Sequence, residues 1–147
     1  MKIISTNKKV LFHYDVLETF VAGIKLEGRE IKSLRNQTPH FGGAYVSIVN
    51  SKPYLADFSI AKYRYDGSES YEPKRKRLLL LKKSEIERLA GKLSTEGVTV
   101  VPLEIGFERE WAKIKIALVR GKKLHDKRRM MKDREEKRKI DRIVKRA

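Results

Sequence analysis

The run Trp111-Ala112-Lys113-Ile114-Lys115-Ile116-Ala117-Leu118 leaves little choice of fold. Ala112, Ile114, Ile116 and Leu118 fall on one side and Lys113 and Lys115 on the other, the alternation of a half-buried antiparallel strand with a basic outer face. Just before it, the β-branched stretch Gly97 to Phe107 reads as a partner strand across the turn Glu108-Arg109-Glu110. Tyr45 to Val49 and Tyr54 to Ile60 flank the turn-rich Asn50-Ser51-Lys52-Pro53 and suggest a second hairpin, and Phe20 to Leu26 gives a further strand, ended by Glu27-Gly28. Two helices interrupt the pattern. Ser84-Glu85-Ile86-Glu87 reads as a capping box opening a helix from Glu85 to about Leu93, with Ile86, Leu89, Ala90 and Leu93 on one face. Arg29 to Arg35 reads as a shorter helix with Ile31 and Leu34 inward and Glu30, Lys32 and Arg35 outward. Short strands with interspersed helices predict a mainly β chain, an antiparallel barrel closed or partly open, with two to three short helices.

The chain's 147 residues suit one domain and an appendage. Its formal net charge of +16 is distributed unevenly, because residues 120–147 hold 14 Lys/Arg against 5 Asp/Glu. We therefore expect a barrel over residues 1–120 and a basic tail over 121–147, disordered when free because it has few large apolar residues, yet helix-prone on contact with RNA. So large an excess of positive charge calls for a polyanion. Nucleic acid fits best, since Lys and Arg contacts to phosphate release condensed counterions. An anionic membrane fits less well, because the basic segments lack the apolar face of a surface-seeking helix. With no apolar run of spanning length and no signal-like N-terminus, the expected location is the cytoplasm.

Residues able to carry out bond chemistry are sparse. There is no cysteine, and the three histidines, His13, His40 and His125, have no metal-ligand spacing. Nucleophile elbows, phosphate loops and zinc-protease motifs are missing as well. No enzyme activity, metal or cofactor is expected. The stretch Pro73-Lys74-Arg75-Lys76-Arg77, followed by four leucines and Lys82-Lys83, reads as a strand or bend anchored by its apolar half with cations projecting toward phosphate, or else as a solvated loop. Lys8 and Lys9 after Asn7 likewise read as phosphate-directed cations or else as part of a solvated N-terminal arm. Tyr63, Tyr65 and Tyr71 either stack on unpaired bases or pack locally.

Taken in order, these segments resemble the SmpB (small protein B) family along nearly the whole chain. The resemblance runs through Asn7-Lys8-Lys9, Glu18-Thr19-Phe20-Val21-Ala22-Gly23-Ile24 and, most diagnostic, Gly28-Arg29-Glu30-Ile31-Lys32-Ser33-Leu34-Arg35. It continues through Pro73-x-Arg75-x-Arg77 with its leucines, Glu85-Ile86, Gly91-Lys92, Val101-Pro102-Leu103 and Lys113 to Lys123, ending in His125-Asp126-Lys127-Arg128. The chain departs from the family pattern at Leu78, at the Phe41-Gly42-Gly43-Ala44 loop and at Arg29.

That resemblance implies an OB-like barrel that binds the tRNA-like domain of tmRNA and delivers it to stalled ribosomes for trans-translation, the tagging of incomplete peptides. It places Asn7, Glu30 and leucines of the 79 to 81 run, Leu79 and Leu80 among them, on the tmRNA-binding surface, and we expect Lys8, Lys9, Lys32, Arg35, Arg75, Arg77 and Lys82 to bind the same RNA. It also implies a tail, with Lys122, Lys123, His125, Asp126, Lys127 and Arg128, that enters the decoding centre of the small subunit and contacts its rRNA. Elongation factor Tu is expected in the same complex. For Glu30 the residue chemistry leaves three roles open: accepting from a base amino group, orienting a nearby cation, or capping a helix. A generic OB-like rRNA-binding protein of the ribosome is the alternative from composition, and a nuclease using Asp15 or Glu30 with a metal is the third.

Overall fold

The computed structural model describes residues 1–122. Its elements run β1 (Lys2–Thr6), α1 (Val10–His13), β2 (Tyr14–Ile24), α2 (Gly28–Asn36), β3 (Tyr45–Val49), β4 (Lys52–Ala56), β5 (Arg77–Leu80), α3 (Lys83–Leu93), β6 (Val98–Glu108) and β7 (Trp111–Gly121). All pairings are antiparallel, and they join seven strands into one sheet in the order β1-β6-β7-β2-β5-β4-β3.

The hairpin of β6 and β7 forms as its alternation demands, closing with Glu108 opposite Trp111 and Arg109 at φ 59° in the turn. The β3–β4 turn is tighter than the sequence suggests. Asn50 and Ser51 alone make it, both at positive φ (51° and 62°), the backbone needed to match the strands' twist, so Lys52 and Pro53 already belong to β4. β2 starts earlier than expected, at Tyr14, and α3 starts at Lys83. The Glu85 carboxylate, not that of Glu87, accepts from the backbone N–H at the helix entrance, that of Lys82 at 3.0 Å.

The sheet is not a closed barrel. β1 and β3 are its edges, and β3 lies against β6 with no ladder between them. Two features keep it open. β6 bonds to β7 along its length and to β1 over Glu104–Phe107, while β5 joins the halves through only two residue pairs on either side. Side chains fill the gap instead, with Val46, Leu55, Phe58, Leu79, Leu89, Ile105, Ile114 and Ile116 in one core. Burying each of these large apolar side chains contributes about 1.5–3 kcal/mol.

Gly106 is required by the close passage of β1, since a Cβ there would sit 2.1 Å from the Lys2 carbonyl oxygen. A second small core, Val10, Val101, Ala117 and Val119, seats α1 on the far half of the hairpin. The outward face of β7 is therefore open at Lys113 and Lys115 and covered further along.

Candidate nucleic-acid interface

The ladder registers define a solvent-facing surface opposite the core. Lys113 of β7 lies between Gly106 of β6 and Gly23 of β2, and Gly23 is followed by Leu80 of β5. Lys115 lies between Glu104 and Val21, with its ammonium 3.8 Å from the Glu104 carboxylate. Leu80 leans across Gly23, where an added Cβ would come within 3.2 Å of the Leu80 Cβ. The result is a platform of cations interleaved with exposed apolar side chains, Val21, Leu80 and Trp111 among them. Flat apolar patches edged by Lys suit stacked bases and phosphates better than they suit bond chemistry. Among the described residues, no cluster of His, Asp and Glu has the geometry to hold a metal, and no helix is long and apolar enough to cross a membrane.

Beside this platform a buried ion network fixes the loop between β4 and β5. Glu30 and Arg77 are both fully buried. One Glu30 oxygen accepts from the backbone N–H of Glu27 at 2.8 Å and from Arg75 at 2.5 Å, and the other accepts from Arg77 at 2.6 Å. Arg77 also donates to the carbonyls of Phe58 (2.7 Å) and Pro73 (2.9 Å). A single acid thus ties α2, the loop and β5 together, and no buried side-chain polar atom among the described residues lacks a partner. Further out, Arg29 reaches Glu27 at 2.7 Å and Asp66 at 3.2 Å, and its guanidinium lies 4.9 Å from the Tyr71 ring centroid. The departure at Arg29 therefore has a structural purpose: it secures residues 66–71.

These contacts set the Glu30 carboxyl's acidity. Burial alone would push it up, but the Glu27 N–H, the Arg75 hydrogen bond and the charge and hydrogen bond of Arg77 outweigh burial and hold it below the usual 4.5. With the folded-state pKa lowered, the stabilisation is complete above the unfolded value and is lost as pH falls through the folded one. Urea denaturation midpoints should hold steady from neutral pH down to about 4.5 and fall below it. A Glu30→Gln chain should lack that part of the acid dependence.

The candidate residues lie in two groups. Lys8 and Lys9 are exposed beside α1, whereas Lys32, Arg35 and the half-buried Arg75 surround α2 and the loop. Arg35 holds its guanidinium 4.5 Å from the Phe107 ring centroid, and Lys32 sits over Tyr63. The eleven residues of β7 separate the two ends, about 30–35 Å at the rise of a strand.

Several expectations need correction. Glu30 faces inward, not outward, because its partner Arg77 is in the core; capping and orienting cations are the roles it fills. Arg77 and Leu79 are likewise shielded from any external ligand, leaving Leu80 as the exposed leucine. Asn7 is a clasp, its side chain donating to the Pro102 carbonyl at 3.0 Å and its backbone N–H to that of Leu103 at 2.6 Å. Lys82 is exposed at the start of α3. Lys122, assigned to the tail, is bound to α1 through its backbone N–H to the His13 carbonyl (3.0 Å) and its ammonium to that of Leu11 (2.7 Å). Of the two roles open to Tyr71, local packing is the one it takes, its hydroxyl donating to the Ile60 carbonyl. Lys123, His125, Asp126, Lys127 and Arg128 lie outside the described residues. Sequence reasoning did not include Val21, Lys113, Lys115 or Trp111 among the site residues, although the alternation of β7 had already put both lysines on the outer face.

Comparison with known proteins gives concordant matches. The family model described as SmpB protein matches residues 4–146. The SsrA-binding protein of Chlamydia trachomatis serovar A is 45% identical over 147 residues, covering 100% of this chain and 97% of that protein. That of Thermosipho africanus is 43% identical, covering 99% of each. A solved structure described as "tmRNA-SmpB: a journey to the center of the bacterial ribosome" superposes with a TM-score of 0.70 at 42% identity, covering 82% of this chain and 85% of that one.

Proposed function

The chain belongs to the SmpB protein family, and from that premise we propose that it binds the tRNA-like domain of tmRNA and delivers it to stalled ribosomes for trans-translation. The observation carrying this reading is the full-length likeness to SsrA-binding proteins, joined to a folded platform with Lys113, Lys115, Val21 and Leu80 on its outer face. The open, OB-like sheet serves as the tmRNA platform. Lys32, Arg35 and Arg75 supply phosphate contacts at the α2 end, with Lys82 beyond β5, and Lys8 and Lys9 supply them at the α1 end. Glu30, Arg77, Leu79 and Asn7 act by holding those groups in place. No catalytic step belongs to the protein itself.

The second half of the activity falls to residues 123–147, attached at the α1 end by Lys122. A segment of such charge density suits an RNA-walled channel, and in this reading Lys123, His125, Asp126, Lys127 and Arg128 engage the decoding centre. The complex works in the cytoplasm, with elongation factor Tu as a further member.

The test is a gel shift of the full chain with the isolated tRNA-like domain of tmRNA and with rRNA hairpins of equal length, at several salt concentrations. The tRNA-like domain should bind more tightly, with a log–log salt slope of about −0.7 to −0.9 per phosphate neutralised. Equal affinity for both RNAs would favour a generic rRNA-binding protein instead.

A further inference from the structure

We propose that the hollow beside Trp111 receives one unpaired base of the bound RNA, an inference that rests on the RNA-binding reading above and adds a base-specific subsite to it. The hollow, about 470 Å³, is walled by Ile24, Leu26, Ile31 and Leu80, where α2, the end of β2 and β5 converge. Trp111 stands at its mouth and is 74% exposed, as poorly covered as any large apolar side chain among the described residues except Tyr65. An indole so placed contributes little to the core. An exposed apolar patch next to a built cavity is a mark of an interaction site.

Three observations select a nucleobase as the occupant. By strand alternation Trp111 shares its face with Lys113 and Lys115, so the hollow continues the cationic platform. Its rim carries Lys25, a phosphate donor, and Glu110, which repels phosphate but accepts from the exocyclic amino group of a base. A second copy of the chain is disfavoured, since each molecule carries +16 and would bring like charge to like. A base stacked on the indole, with Leu80 against its edge, its amino group on Glu110 and its phosphate on Lys25, matches the polar and apolar groups around the hollow, and Lys113 on the adjoining platform is placed for the next phosphate.

Trp111 is the chain's single tryptophan, so its emission reports on this site alone. The unaltered full chain is titrated with the tRNA-like domain of tmRNA and, separately, with a fully paired RNA duplex of equal length, following emission and acrylamide accessibility while a gel shift records binding. The tRNA-like domain should quench Trp111 and shield it from acrylamide, and the duplex should do neither. Trp111→Ala should weaken binding of the tRNA-like domain about 5- to 150-fold, the range of base–aromatic stacking, with Trp111→Phe recovering most of the loss and both melting like the parent. Binding of the tRNA-like domain with unchanged emission and accessibility, or equal quenching by the duplex, would overturn the base site and leave the RNA-binding reading intact. Absence of any shift would overturn both.

Discussion

Replacing Glu30 by Gln is expected to destabilise the domain by about 3–5 kcal/mol, the cost of leaving a buried charge without its partner. The isosteric amide keeps the shape but withdraws the charge facing Arg77, which is fully buried and whose other partners, the carbonyls of Phe58 and Pro73 and the Tyr71 hydroxyl, are neutral. Arg75 loses the charge of its shorter partner in the same step and keeps only Glu27, at 3.7 Å, as an ion pair. Urea denaturation measures the loss. Glu27→Gln is the control: Glu27 pairs with Arg29 and Arg75 at a 43% exposed side chain, where an ion pair contributes at most about 1 kcal/mol. Comparable small losses for both variants would show that the network does not secure the loop.

Truncation after Lys122 is the second large effect, and it separates the two halves of the activity. The shortened chain keeps the whole sheet and the Lys122 attachment to α1. Its affinity for the tRNA-like domain should change by less than about tenfold, or about 1.4 kcal/mol. Peptide tagging on stalled ribosomes in a reconstituted translation system should disappear. Full tagging by the truncated chain would remove residues 123–147 from the mechanism, and a large loss of tmRNA affinity would show that the platform is not the binding unit.

Both expectations depend on features read differently from sequence and from structure. The β6–β7 hairpin was legible because its signal is local: alternation, β-branching and a turn at known spacing. Glu30 was misread because an amphipathic pattern scores any carboxylate as outward, and the reason for its burial is Arg77, 47 residues away. Whether the barrel closes was left undecided for a similar reason. Closure depends on which strand edges are already taken and on the brevity of β5, neither of which periodicity reveals. β1 and α1 were not anticipated from sequence, since their docking rests on the Asn7 clasp to Pro102 and Leu103 and on Val10 packing against Val101, Ala117 and Val119. The candidate site was partly legible: the cations were found, but which of them project outward was settled only by strand register.

Photo-crosslinking of the full chain to the tRNA-like domain of tmRNA, with mass-spectrometric mapping of the joined peptides, tests most directly where the RNA lies. Crosslinks should concentrate on the outward residues of β2, β5 and β7, around Val21, Leu80, Lys113 and Lys115, with a lesser set near Arg75. Crosslinks confined to the exposed face of α3 or to the β3–β4 turn, with none on β7, would contradict the account.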